Sequence, residues 1–411
     1  MLRRSLAAPL ALGLISVALA ACAGSPAAVP GPEETTAEGH GRIDGATEVS
    51  EPPLGLTTVD DEGIVRHLDL LDESTAEIGA VTAPESVSGD GRYLFASGQD
   101  GVSIVDSGRW TWDHVDHFHY YRAEPRVLGT VTGSGPATVA TTNSSTTGST
   151  GIFFAGSGEA VLLDTEALSK GEIVERFRLE RPVHGGLVVP VGSFALVTEA
   201  RVGAVGTLTV HDGKGMPVPG ASAECADARG TITTRVGAVI GCADGALLAT
   251  VADGAVALER IPYPAGSTAP PATAFANREG RPTVAALAGD EGIWLLDTRE
   301  RAWRLLPAPG PLVQVTAVDD EKQHVLALAA DGRVLVIDGV SGEVLSATDP
   351  LAAESLAQGS GQVRLIADQH RAYLNAPVER RLYEIDFADA ARVARTFESA
   401  SAPAFLEETG R

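Results

Sequence analysis

Metal-holding side chains concentrate in one stretch of this chain. From Trp110 to Tyr121 it reads Trp-Thr-Trp-Asp-His-Val-Asp-His-Phe-His-Tyr-Tyr, which contains three of the nine histidines, His114, His117 and His119. Asp113 and Asp116 lie among them. Neutral imidazole and carboxylate are the donors expected for zinc where thiolate is missing. Asp113 to His119 supplies five such donors in seven residues. Zinc, copper and nickel all remain open from the motif, because affinity follows the metal series more than this donor set. On a strand, His117 and His119 share a face while His114 points to the other. On a helix, His114 and His117 are neighbours while His119 turns away. No regular element brings every donor to one metal, so the segment is expected to be irregular, or to fold round the metal. A site that is not preformed costs ordering entropy and suits a donor that must release its metal. The competing reading is a solvated loop, or a contact for a partner protein. His184, in Arg181-Pro182-Val183-His184-Gly185-Gly186, is a second candidate ligand. His67, His211, His324 and His370 each stand alone and read as structural.

The elements that must position these residues repeat. A turn with Asp, Glu or Gly precedes an apolar run that usually ends in Asp, as in Asp100-Gly101-Val102-Ser103-Ile104-Val105-Asp106 and Asp331-Gly332-Arg333-Val334-Leu335-Val336-Ile337-Asp338. A second short apolar run comes before most copies, such as Tyr93 to Ala96 and Val325 to Ala329. Paired runs with Asp-Gly between them mark hairpins. Eight copies at a spacing of about 45 residues match one four-stranded propeller blade each. Residues 54–411 are therefore expected to form an all-β, single β-propeller of about eight blades, or seven if the ends share one. Radial repetition also limits exposed strand edges.

Several local expectations follow. Trp110 comes just after Asp106, so 110–121 reads as an insertion between blades. The start of an innermost strand faces the central channel, which puts His184 there, within reach of a loop from earlier blades. Thr141 to Thr150, polar and low in complexity, reads as a loop or a mobile linker between blades. Leu351 to Ala357 suits one turn of helix. Cys225 and Cys242 are expected to pair, closing a short loop within one blade, and two thiolate metal ligands are the weaker alternative.

Arg3 and Arg4, the apolar run Leu6 to Ala21 and the lipobox Leu19-Ala20-Ala21-Cys22 read as a lipoprotein signal, 1–21. Cys22 is then the lipidated first residue, and 22–53, rich in Ala, Gly, Pro, Glu and Thr, a flexible tether on the extracytoplasmic face of the cell membrane. Loss of Arg3 and Arg4, and of no acid, takes the net charge from −23 to −25. Such a chain repels phosphate backbones and argues against nucleic acid. A hydrolytic propeller finds little support, since no Gly-x-Ser-x-Gly elbow is present.

These motifs together resemble the AztD family of extracytoplasmic zinc chaperones. The resemblance rests on the Asp-His-x-Asp-His-x-His loop with Glu124-Pro125 after it, the Arg-Pro-Val-His-Gly stretch ending in Val189-Pro190, the pair Cys225 and Cys242, and Ile261-Pro262-Tyr263-Pro264. It implies a non-enzymatic propeller that binds zinc and passes it to the solute-binding protein of a zinc ABC transporter. It also implies His114, Asp116, His117 and His119 as ligands, with His184 helping. Two positions depart from the family pattern: Gly185 stands where a second histidine is usual, and Arg229, a fixed cation, stands where Leu-His-Gly is usual.

Overall fold

The computed structural model describes residues 41–113, 117–201, 204–359 and 362–411. The expected signal, Cys22, the tether as far as His40, His114 and Asp116 lie outside them.

Antiparallel sheets follow one another along the described chain as eight blades. The ring closes by mixing the chain ends. Phe405–Thr409 is the innermost strand of blade 1 and pairs with Gly55–Val59, which continues to Ile64–Asp69 and Thr75–Ala80. The ends do share a blade, yet the count is eight. Blade 6 keeps only three regular strands, Thr283–Leu287, Gly292–Asp297 and Ala302–Pro307. Its innermost place is taken by a single bridge, Ala276 to Ala285.

The recurrent terminal Asp has a local cause. Its carboxylate accepts the backbone N–H two or three residues on, which turns the chain out of the third strand. Asp69 does this for Leu71, Asp106 for Gly108, Asp212 for Lys214, Asp297 for Arg299 and Asp338 for Val340, while Asp164 caps the short helix Thr165–Ser169. The amides of Met216 and Lys214 hold the carboxyl of Asp212, and those of Ser341 and Val340 that of Asp338, below the ordinary value. The glycine of the preceding turn is also required by space. At Gly101, where φ is +155°, a Cβ would lie 2.5 Å from the Val131 carbonyl oxygen.

Buried Val, Leu, Ile and Ala from neighbouring blades make the core, as in the cluster of Leu326, Leu328, Leu374 and Ile385. The helix expected near 351–357 is Ala353–Gly359, between blades 7 and 8. Of the two readings of Thr141 to Thr150, the loop holds and the linker between blades does not: residues 141–148 join the first and second strands of blade 3, and Ser145 and Thr146 are buried. The cysteines form their bridge, but not within one blade. Cys225 follows the outer strand of blade 4, Pro217–Glu224, and Cys242 ends the second strand of blade 5, so the bridge ties the two blades together. With a sequence separation of 17, the closed loop is one whose constraint is worth about 3 kcal/mol. No helix among the described residues is long and apolar enough to cross a membrane.

A buried ion pair fixes blade 2. Arg92 spans Asp106 with Nε at 2.9 Å and an Nη at 2.8 Å, and the two side chains are 0% and 2% exposed. Removing one partner of so desolvated a pair leaves an unmatched charge. Asp106→Asn is expected to lower stability by about 3–5 kcal/mol, read as a lower urea unfolding midpoint than that of the parent chain.

Candidate metal site

The histidine segment is a hairpin. Arg109–Asp113 pairs with Phe118–Arg122, with Trp110 opposite Tyr121 and Trp112 opposite His119. Alternation along a strand puts Trp110, Trp112, His119 and Tyr121 on one face. Trp110 and Tyr121 stack at 5.3 Å between ring centres and are 0% and 1% exposed, which makes a small apolar core of the hairpin's own with Ala46. Strand order thus replaces the irregular loop expected here, because aromatic cross-strand pairs favour a regular ladder. The hairpin is also not an insertion between blades. It joins the third strand of blade 2, Gly101–Asp106, to the fourth, Arg126–Thr132.

Three sets of contacts seat it. The Arg92 guanidinium lies 3.9 Å from the Trp110 ring centre, a cation–π contact backed by Asp106. Arg109 and Arg122 both face the buried carboxylate of Asp69 in blade 1, at 3.7 and 2.9 Å. Thr111 donates its N–H to the Arg411 carbonyl and its hydroxyl to the Gly410 carbonyl. Beneath this anchor lies His67, 2% exposed and held by the Thr57 hydroxyl at 2.9 Å. Burial, with Arg109 and Arg122 adding to it, pushes its imidazole down to about 3.

At the hairpin's outer end, His117 and His119 come together. Their Nε2 atoms are 2.9 Å apart, and the rings meet edge to face at 4.7 Å. The Nδ1 of His119 meets the Glu48 carboxylate at 2.6 Å. Glu48 belongs to Thr47–Val49, a third strand that pairs with Phe118–Arg122. That strand lies within the segment read as a flexible tether. Glu48 is the contact of the histidine pair that the sequence reading missed, and the faint signal was the alternation Thr47-Glu48-Val49 before the first blade. A carboxylate that accepts from Nδ1 of an imidazole assigns metal ligation to Nε2. Two imidazole nitrogens on a tetrahedral zinc sit roughly 3.3 Å apart by the usual Zn–N distance, so this pair fits zinc after a shift of a few tenths of an ångström. Among the described residues, no three His, Cys, Asp or Glu side chains gather as a ready-made metal group. The remaining expected donors, His114 and Asp116, lie outside the described residues.

His184 is placed elsewhere. Strand directions put the link between third and fourth strands on one face of the ring, and the link from one blade to the next on the opposite face. The hairpin is a link of the first kind. His184 lies in a link of the second kind, between Glu175–Glu180 of blade 3 and Val188–Val191 of blade 4. Its Nδ1–H donates to the Pro182 carbonyl at 2.6 Å, and its Nε2 accepts from the Thr198 hydroxyl at 3.1 Å. Both ring nitrogens are thus engaged locally, and the expected reach from the loop is not made. The solitary histidines behave as structural groups: His324 meets Asp320 at 2.6 Å, and burial lowers His211 below its ordinary value.

The channel mouth on the hairpin's side carries charges that no motif announced. Arg411 meets Glu279 at 3.2 Å and Glu408 at 3.3 Å, while Arg364 meets Glu407 at 3.0 Å. Burial pushes the Glu408 carboxyl up to about 8 and that of Asp90 up to about 7.

No family model matches the chain, and no curated protein matches it by sequence. Solved structures do. AztD from Citrobacter koseri superposes with a TM-score of 0.74 at 22% identity, over 87% of this chain and 97% of that one. Its apo structure gives the same values. A looser likeness is to BamB from Moraxella catarrhalis, at a TM-score of 0.48 and 12% identity over 87% of this chain and 90% of that one.

His67 sets a pH dependence. It stays neutral in the folded protein down to about pH 3, whereas an exposed imidazole takes its proton near 6.5. Protons therefore favour the unfolded chain across that interval, and this part of the stability, complete above about 6.5, is lost as pH falls towards 3. His67→Gln is expected to flatten the acid limb of stability against pH by up to about 1.4 kcal/mol per unit, measured by urea unfolding of variant and parent between pH 6.5 and 4. Parallel curves would show that His67 carries none of it. The chain has the fold of AztD from Citrobacter koseri, the family that its histidine motif resembles.

Proposed function

We propose that this protein is an extracytoplasmic, lipid-anchored zinc-binding protein, a metallochaperone that delivers zinc to the solute-binding protein of a zinc ABC transporter. The observation that carries the reading is the pair of Nε2 atoms of His117 and His119, 2.9 Å apart at the end of an anchored hairpin. His114 and Asp116, from the same histidine motif, complete the proposed ligand set. His184 is left out of it, because its ring nitrogens bond to Pro182 and Thr198 on the other face. The likeness in fold to AztD and the resemblance of the motif support the same assignment.

The chemistry is coordination and transfer, with zinc as cargo. A hairpin end exposes its ligands to a partner. Phe118, beside His117, is 51% exposed and offers an apolar contact to whatever docks there. Imidazole and carboxylate donors hold zinc without the near-permanent grip of a four-thiolate site. The lipid on Cys22 would keep the protein at the membrane where the transporter works.

Changing His114, His117 and His119 together to Ala is expected to lower zinc affinity at least 10-fold in competition with a chromophoric chelator, with the melting temperature of the metal-free protein unchanged. Equal affinity in variant and parent would end the zinc reading. A propeller that serves only as an interaction hub would recover its partner equally well with chelator present, whereas a chaperone's capture of its acceptor depends on zinc.

A further inference from the structure

We infer that Glu48 is a positioning residue for zinc, so that the strand Thr47–Val49, at the junction of tether and propeller, is a working part of the metal site. This rests on the zinc reading of His117 and His119 and extends it to a residue outside the histidine motif.

The placement of Glu48 follows from packing. Thr47–Val49 pairs with Phe118–Arg122 so that Glu48 stands opposite Tyr121. Tyr121 is 1% exposed, stacked on Trp110, and shares its small core with Ala46, two residues before Glu48. A turn from Ile43 to Ala46 leads the chain into this register. Cross-strand neighbours on one face reach the diagonal position as well as the direct one. From opposite Tyr121, the Glu48 carboxylate therefore arrives at His119, 2.6 Å from Nδ1.

A carboxylate can only accept, so Nδ1 of His119 carries the hydrogen, which leaves Nε2 as the nitrogen for a metal. That Nε2 faces Nε2 of His117 at 2.9 Å. Metal-bound imidazoles commonly donate their second nitrogen to a carboxylate, which fixes the tautomer and ring orientation. Here that carboxylate comes from a strand about 70 residues earlier in the chain than the ligands. Linkage then works both ways: if strand 47–49 tightens zinc binding, zinc must stabilise the pairing of strand 47–49.

The test uses the full-length chain and zinc alone. Glu48→Ala is expected to weaken zinc binding about 10- to 100-fold and to abolish the Nδ1–H signature of His119 in nitrogen-15 NMR of the imidazoles. Glu48→Gln keeps an acceptor oxygen, so it is expected to retain the Nδ1–H tautomer and to lose less affinity. In the parent chain, zinc is expected to slow amide exchange at Thr47 to Val49. The Glu48 side chain is 54% exposed, so neither variant should alter the melting temperature. Parent-like zinc affinity in Glu48→Ala, beside weakened binding in His117→Ala and His119→Ala, would overturn the role of Glu48 and leave the zinc reading standing. Weaker binding with the His119 tautomer unchanged would overturn positioning as the cause. Unchanged affinity in the histidine variants would overturn both.

Discussion

Everything in this protein depends on the pairing of Phe405–Thr409 with Gly55–Val59. An open arc of blades would end in exposed strand edges, with backbone donors and acceptors unpaired. Closing the ring removes them, and it does so with strands about as far apart in sequence as the propeller allows. The buried Thr57 and Thr409 hydroxyls, 3.2 Å apart, mark the join, and Thr57 also holds His67. Gly410 and Arg411 follow the closing strand. The carbonyls of those residues receive Thr111 of the histidine hairpin. The hairpin is therefore seated on a surface that exists only once the ring is closed.

Blade 2 and blade 1 share the work of holding it. Arg92, buried under Trp110, supplies a cation to the ring face and is itself neutralised by Asp106. Asp69 does the same for Arg109 and Arg122 from the other side. Buried charges survive in a low dielectric only when paired, and each pair here joins the hairpin, or the strand beneath it, to the propeller. The aromatic residues of the hairpin thus serve as its foundation, with Trp110 and Tyr121 inward, while His117 and His119 lie at its outer end. A rigid base with polar groups at the end is the arrangement a transfer site needs: ligands held in position, yet reachable by an acceptor.

The contrast between the two faces of the ring matters equally. His184 looked like a companion to the histidine loop because it precedes an innermost strand, whose start faces the central channel. Chain direction separates them, since links between third and fourth strands and links between blades emerge on opposite faces. The hairpin side instead carries the ion pairs of Arg411 with Glu279 and Glu408.

The sequence by itself determined the repeat, and with it the fold. Alternating apolar runs, Asp-Gly turns and the strand-ending Asp are local instructions, each satisfied within a few residues, as the Asp69 and Asp338 turns show. It also determined which residue types meet a metal, and that Cys225 and Cys242 would pair. The tertiary structure alone decided partners and faces. Nothing near Glu48 signals His119, because their contact depends on a strand register set by the burial of Tyr121 and Ala46. Nothing near Trp110 signals Arg92 or Arg411, which meet it only through the closed ring. The bridge between blades 4 and 5 and the separation of His184 have the same origin: blade boundaries and strand directions emerge when sheets assemble, and a local pattern carries no record of them.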